Sequence, residues 1–478
     1  MSEDLLNYVV DYALSIGAKY AEARYQIDEY FTLILRNGEL ISVNKSVSEG
    51  VGIRILHSNV LTFAATNKLS RDELINTVKT AVGRARALSH LVKTPISFSE
   101  EKLGRGSYEV KVAKDFNSLS VDEKLDILSD LHRSATTSVK EVSLPVTYCE
   151  YVEHVQRKMI VNSDGGYVIG NVPRLSIMFN LVMSSKQKGS LQRLMQWGAS
   201  GGLELIDLWR PVQSVEDEVR RLEKVLLYGV EPPKEPVDVV VGSEVVGLMV
   251  HESAGHPMEA DRILGREAAQ AGESFIKPEH VGKFKVGNEF ATVVEDPTIP
   301  GSFGYYEYDD ECVKARARYL YKNGVVCEPL HNRQTAKIFN TRSNGASRSM
   351  DYSSEPIIRM SNTYLKPGGM SFEELIEDIR LGVYIKSYME WNIDDIRWNQ
   401  RYVGLESYLI VNGELGQPIR NPVLELTTAG FYNGISGVDK NLAFYPGTCG
   451  KGDPSQGVPV WFGGPNVRLS NIRLGVTV

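Results

Sequence analysis

Between positions 230 and 236 the chain reads Val-Glu-Pro-Pro-Lys-Glu-Pro, and no other stretch limits the fold as much. Proline has no amide donor and its ring clashes with the preceding helical turn. Three prolines in seven residues therefore exclude a helix interior or a central strand. Such a segment is a stiff, extended connector. The chain's 478 residues exceed what one ordinary hydrophobic core organises. The expected organisation is an N-terminal domain over 1–229, a linker over 230–236 and a second domain over 237–478.

Upstream of the connector, helix and strand signals alternate in blocks. Asp4–Ile16 has apolar residues at helical spacing and Gly17 closes it. Short strands are expected at 21–26, 31–36, 39–44, 50–56 and 60–65, with Asn37-Gly38 as a tight hairpin turn. Ser70 caps a helix over 71–88. Ser120 and Glu123 form a capping-box pattern for a second helix. Strands at 143–151, 154–162, 166–170 and 175–184 follow, with a turn at Asp164-Gly165, and then a charged helix over 215–227. Beyond the connector, Val237–Val241 reads as a strand, 243–252 as an apolar helix and 371–381 as a helix opened by another capping box. The remainder is short strands and glycine-rich turns. The fold class expected is α+β: an N-terminal α/β-layered domain, then a β-rich C-terminal domain carrying a metal-binding helix.

Composition narrows the function classes. Hydrophobic residues make up 42% and charged residues 24%, the profile of a water-soluble globular protein. A net charge of -7 gains little from counterion release, so nucleic acid is not an expected partner. Cys149, Cys312, Cys327 and Cys449 are widely spaced and form no disulfide framework, which suits a reducing compartment. The N-terminus has no basic segment followed by an apolar run, and no stretch reaches the ~18 apolar residues of a membrane helix. A cytoplasmic address without membrane contact is expected.

The chemistry concentrates in Val246-Gly-Leu-Met-Val-His251-Glu252-Ser-Ala-Gly-His256-Pro. Two imidazoles with a glutamate beside the first read as ligand, base, ligand for a catalytic zinc ion. The spacing is five residues rather than four, so on a regular helix the histidines diverge by roughly 140°. A single π-turn would realign them. Gly255 offers the backbone freedom for it, and Pro257 discourages His256 from continuing an α-helix. A third ligand is offered by Cys449, in Gly447-Thr-Cys-Gly-Lys451, where Lys451 would favour the thiolate. The loop is no nucleotide cradle, because Gly452 stands where Ser or Thr is required.

Taken together, the His-Glu-x-x-x-His segment, the Gly447–Lys451 loop running on to Gln456-Gly-Val-Pro-Val460, and the Gly301-Ser-Phe-Gly304 and Asp309-Asp-Glu311 stretch resemble the TldD/PmbA family, on its TldD side. So do Leu330-His-Asn-Arg-Gln-Thr-Ala336, Asn362-Thr-Tyr-Leu365 and Pro367-Gly368. Gly345-Ala-Ser-Arg348 departs from the family's more arginine-rich form. The resemblance implies a zinc peptidase acting on unfolded or short peptides, with His251, His256 and Cys449 as ligands and Glu252 as catalytic base. It also implies a dimer, with a metal-free PmbA/TldE-like subunit or with itself, whose interior hides the site from folded proteins.

Glu259 and Asp261 are candidates to hold the free imidazole N–H groups. His331, Tyr305 and Tyr306 are candidates to stabilise an oxyanion. The acidic run 307–311 is expected to be a surface turn. The rival reading is a peptide- or partner-binding module with a purely structural zinc, which a fourth protein ligand would favour.

Overall fold

The computed structural model describes residues 1–92, 94–268, 272–452 and 454–476, so Asp453 of the glycine-rich loop and positions 477–478 lie outside it. The fold is α+β. Its first half is one seven-stranded sheet built from β1 (Tyr20–Arg36), β2 (Glu39–His57), β3 (Val60–Thr66), β4 (Arg105–Glu109), β5 (Ser143–Asn162), β6 (Tyr167–Ser185) and β7 (Gly189–Ser200). The order is β3-β2-β1-β5-β6, with β4 parallel and β7 antiparallel on the far side of β6.

Several strands expected as pairs are single. The segments 21–26 and 31–36 merge into β1, 39–44 and 50–56 into β2, 143–151 and 154–162 into β5, and 166–170 and 175–184 into β6. The polar residues that seem to break them are paired across the sheet and against neighbours. Asp28, for instance, is 1% exposed and accepts from His154, Gln156 and Gln26. β4 and β7 carry no strong strand pattern and are absent from the expected set. The Asn37-Gly38 turn forms with both residues at positive φ, 51° and 82°.

One face of β1 presents Ala21, Ala23, Tyr25 and Leu33 to four helices. α1 (Glu3–Ser15) and α2 (Arg71–Leu88) cover the β1–β3 end, while α3 (Val121–Ser138) and α5 (Pro211–Tyr228) cover the β5–β7 end, with the short α4 (Glu204–Trp209) before α5. Ser70 caps α2 and the Ser120–Glu123 capping box opens α3. The other face presents Glu22, Arg24, Gln26 and Asp28, which in an ordinary antiparallel sheet would meet water. Here all four are buried against the second half of the chain.

The acidic run beginning at Glu307 is what meets that face, which corrects the expected surface turn. Asp309, Asp310 and Glu311 are at most 3% exposed. Asp310 accepts from Arg24 at 2.9 Å and from Lys158 at 2.8 Å, and Arg54 reaches both Glu22 and Glu311 at 2.8 Å. Burial opposes the charge on Asp310, but Lys158 and Arg24 outweigh it and hold the carboxyl at about 2. One carboxylate serves two cations, so Lys158, for which burial dominates, is itself held below its usual range.

The connector at 230–236 is pinned by Val230, whose N–H donates to Pro418 O at 3.0 Å and whose carbonyl accepts from Arg420 N at 2.9 Å. After it, β8 (Val237–Val241) enters a six-stranded sheet between the strands 381–385 and 467–472. A second six-stranded sheet ends with strands 293–295, 362–365, 456–464 and 443–451, in that order. α6 (Ser243–Val250) packs on it so closely that a Cβ at Gly247 would lie 2.9 Å from Gly463 N. The helix expected over 371–381 is shorter, Phe372–Ile376, because Leu375 and Ile376 turn into the core and a strand begins at Leu381. Among the described residues no helix is long and apolar enough to cross a membrane.

Removing a carboxylate from this buried network leaves cations unpaired. Asp310→Asn is expected to lower stability in urea denaturation by about 3 kcal/mol at pH 7. The Asp310 carboxyl lies at about 2 in the fold, against ~3.9 in an unfolded chain. Its contribution is therefore complete above pH ~4 and is lost as the pH falls through 2, so the gap between parent and variant should close over that window. A gap that stays constant from pH 7 to pH 2 would show that the charge contributes nothing.

Candidate metal centre

α6 ends where two imidazoles must face one point. From His251 to Gly255 the backbone forms a π-turn, in which His256 N–H donates to the carbonyl of His251, five residues back. The extra residue removes the angular mismatch of the five-residue spacing. Pro257 has no N–H for the carbonyl of Ser253, and Tyr321 supplies the missing donor through its hydroxyl at 2.8 Å. Ser253 Oγ donates back to Met249 O at 2.6 Å and meets Tyr432 Oη at 2.9 Å. Gly255 has an ordinary right-handed φ of -57°, so backbone freedom is not why glycine stands there. Space is the reason: a Cβ would lie 1.9 Å from Met360 Sδ.

Cys449 comes from the strand 443–451, in register opposite Val458 of 456–464. Buried Arg359 ties the two strands, donating to the carbonyls of Cys449 and Gln456. One ligand atom each from His251, His256 and Cys449 lie within 4.8 Å of one another, and Cys449 Sγ is 3.6 Å from His256 Nε2. The two rings stand at 82° with centroids 5.0 Å apart. With Zn–N near 2.0–2.1 Å and Zn–S near 2.3 Å, tetrahedral donors lie about 3.5 Å apart, so the set fits a small divalent ion after side-chain adjustment. His251 Nδ1 is buried without a hydrogen-bond partner among the described residues, which also fits a site completed by something other than protein.

Burial lowers the pKa of both histidines, favouring the neutral rings a metal requires. Burial pushes the Cys449 thiol up, but His256 and Arg359 outweigh it and bring it down to about 7. Lys451, expected to favour the thiolate, is instead taken up by Asp261 at 2.7 Å and Glu259 at 3.3 Å. Glu259 accepts from His256 Nδ1 at 3.1 Å and from Arg262 Nε at 2.7 Å. For Glu259 too burial opposes the charge, and Lys451, His256 and Arg262 overcome it, holding the carboxyl well below its usual range. So Glu259 fixes the His256 tautomer, while Asp261 holds Lys451 and touches neither ring.

Glu252 is 4% exposed and pairs with Arg397 at 3.2 Å. With His251, His256 and Cys449 it opens onto a cavity of about 470 Å³ whose wall also carries Gln196, Trp391 and Arg397. Neither His331 nor Tyr305 lines that cavity. His331 is buried 3.1 Å from Thr335 Oγ1 and edge-on to Phe339, and burial holds it down to about 4. The Tyr305 hydroxyl donates to Glu307, and that of Tyr306 to Gly345 O. All three spend their polar atoms on contacts outside that cavity.

Arg397, Tyr321, Met360 and Arg359 escaped the sequence reading. Arg397 stands in a tight turn at φ 66°, its carbonyl held by Thr428 Oγ1 at 2.7 Å. An arginine in an irregular loop so far along the chain carries no local mark of its partner. Tyr321 had a weak signal, since Pro257 requires some donor for the Ser253 carbonyl.

Comparison with known proteins agrees with this architecture. Residues 234–476 match the PmbA/TldA metallopeptidase C-terminal domain, 21–85 its domain 1 and 114–227 its central domain. A metalloprotease of Methanothermobacter thermautotrophicus is 31% identical, covering 96% of each chain. A zinc metalloprotease TldD homologue of Saccharolobus solfataricus is 25% identical over 97% of this chain and 98% of its own. The crystal structure of TldE from Thermococcus kodakarensis shares the fold, with a TM-score of 0.74 at 16% identity, covering 98% of this chain and 100% of its own. With matches along both halves and a buried His-His-Cys cluster in the C-terminal one, the chain belongs to the PmbA/TldD family of metallopeptidases.

Proposed function

We propose that this chain is a TldD-like, zinc-dependent hydrolase of peptide bonds in unfolded or short peptides, with His251, His256 and Cys449 as the metal ligands and Glu252 as the base. The observation that carries this reading is the convergence of three buried donors and the Arg397-paired carboxylate of Glu252 on a single cavity. Zinc bound there supplies an electrophile that polarises a carbonyl and brings the pKa of a water molecule from 15.7 to about 7. Glu252 takes a proton from the attacking water and returns it to the departing amine nitrogen. Arg397, paired with Glu252, keeps that carboxylate aimed into the cavity. Glu259 holds His256 by its other nitrogen and so keeps Nε2 turned toward Cys449. The rival, a structural zinc, would be favoured by a fourth protein ligand. Among the described residues the cluster has three, and Glu259 stands behind His256 rather than beside it.

Substrate holding is proposed to be main-chain pairing. The strand 443–451 is the outermost of its sheet and its residues 447–450 line the cavity, which supports an extended peptide adding alongside it. The 1–229 segment is proposed to enclose the substrate and to form the dimer with a TldE-like subunit or a second copy. Supporting this, residues 39–50 of β2 pair only with β1, and Leu40, Ile41, Val43 and Val47 are 47–60% exposed there. The four cysteines are all free, which supports a cytoplasmic address.

Glu252→Gln is expected to retain bound zinc by elemental analysis while turnover of an unstructured peptide falls about 10²- to 10⁴-fold. Chelator should abolish hydrolysis by the parent chain, and restored zinc should recover it. Unchanged hydrolysis by the variant would remove Glu252 from this role. Gly255→Ala is expected to displace Met360 or the π-turn and to weaken zinc binding, measured by calorimetry, about 10- to 100-fold. Parent-like affinity would show that Met360 yields without moving the imidazoles.

A further inference from the structure

A second cavity, of about 390 Å³, abuts the first, and the two share Gln196, Gly447 and Thr448. Strands β5, β6 and β7 form one side and the hairpin bearing Cys449 the other. Two of its lining residues are buried arginines that pair with no carboxylate among the described residues. Arg174, 3% exposed, donates from Nε to Phe303 O at 2.9 Å and from Nη2 to Tyr305 O at 3.4 Å, and its Nη1 has no partner among the described residues. Arg348, 7% exposed, donates to the carbonyls of Met360 and Pro459 and lies 5.2 Å from the centre of the Tyr306 ring.

An unpaired buried guanidinium is costly, and elsewhere the chain avoids the cost. Arg24, Arg54, Arg193 and Arg318 are as deeply buried and each holds a carboxylate. Arg359, which bonds only carbonyls, lends its charge to the Cys449 sulfur. Arg174 and Arg348 have no such anion. Burial and the proximity of Arg348 bring the Arg174 guanidinium down to about 10, so the two charges repel. Lys158 on the same wall shares Asp310 with Arg24, and the lining offers one carboxylate, Glu150, against these three cations. Neither guanidinium has a carboxylate partner among the described residues, and a carboxylate, which can accept from two cations at once, is the group that would supply one.

We propose that this cavity is a subsite for a carboxylate of the peptide undergoing cleavage, received by Arg174 and Arg348. The proposal rests on the peptidase reading and deepens it, since the cavity continues along the Cys449-bearing strand from the hydrolytic site. The carboxylate comes either from the peptide's C-terminus or from an Asp or Glu side chain a few residues from the scissile bond.

Three short Ala/Gly/Ser peptides with a neutral N-terminal coumarin distinguish these sources: one with a free C-terminal carboxylate, one amidated, and one amidated but carrying a single internal Glu. Binding is measured by fluorescence anisotropy to the chelator-treated full chain, and hydrolysis on the zinc-loaded chain. One of the two carboxylate peptides is expected to bind about 10- to 100-fold more tightly than the neutral one, the range for a charge-assisted hydrogen-bond pair, and the tighter one identifies the source. Arg174→Gln and Arg348→Gln should each erase the preference while the neutral peptide binds as before. Equal binding of all three peptides by the unaltered chain overturns the subsite, whether or not they are cleaved. A preference that survives both substitutions in variants melting like the parent removes these arginines from it. A binding preference without any hydrolysis leaves the subsite standing and counts against the peptidase reading instead.

Discussion

A proline with no amide to give sits one residue past the second imidazole, and the site depends on how the chain absorbs it. In a regular helix the N–H of position 257 would close on the carbonyl of Ser253. The backbone instead widens over His251–Gly255, and the hydroxyl of Tyr321 takes over that carbonyl at 2.8 Å. Met360 fills the space beside Gly255, and Tyr432 secures Ser253 from a third direction. The irregular turn is thus held by residues from separate parts of the C-terminal half, a strand, a loop and a helix. Such a distortion persists only where its surroundings over-determine it.

The second constraint is electrostatic. The inward face of β1 carries Glu22, Arg24, Gln26 and Asp28, and it is buried because Asp310 and Glu311 of the other half meet its cations and those of neighbouring strands. Buried ion pairs add little net stability, but they penalise any docking that leaves one member alone. The two halves therefore have one register, which Trp461 Nε1 also reads by donating to Gly198 O at 2.7 Å. That register brings Gln196 of β7 over the Cys449 hairpin, so the wall common to both cavities is a product of charge matching in which Lys158 of the second cavity takes part.

Local signals were the ones legible from residues alone. Ser70, Ser120 and Ser371 each cap a helix where expected, because a cap is settled within four positions. The five-residue step between His251 and His256 predicts its own π-turn, since geometry within one turn decides it. Long strands were misread as pairs because Asp28 and Glu153 look like breaks until their partners, His154 and Lys124, are seen. The buried acidic run and Arg397 were opaque for the same reason. Their meaning lies in residues 145 to 286 positions away, and nothing in their own neighbourhood distinguishes a buried carboxylate from a solvated one.

The strand order of the two six-stranded sheets sets how much of the chain must be made before the His-His-Cys cluster can be held together. The segment 456–464 lies between 362–365 and 443–451, and 467–472 lies between β8 and 435–438, so strands that follow Cys449 in the sequence occupy interior positions of both sheets. A nascent chain that has not yet released residues through Ile472 from the ribosome has gaps in both layers. It already contains both imidazoles, but the sulfur at 449 has no paired strand to hold it in place. Assembled in this order, the His-His-Cys cluster is not held together until the strands that follow it are in place.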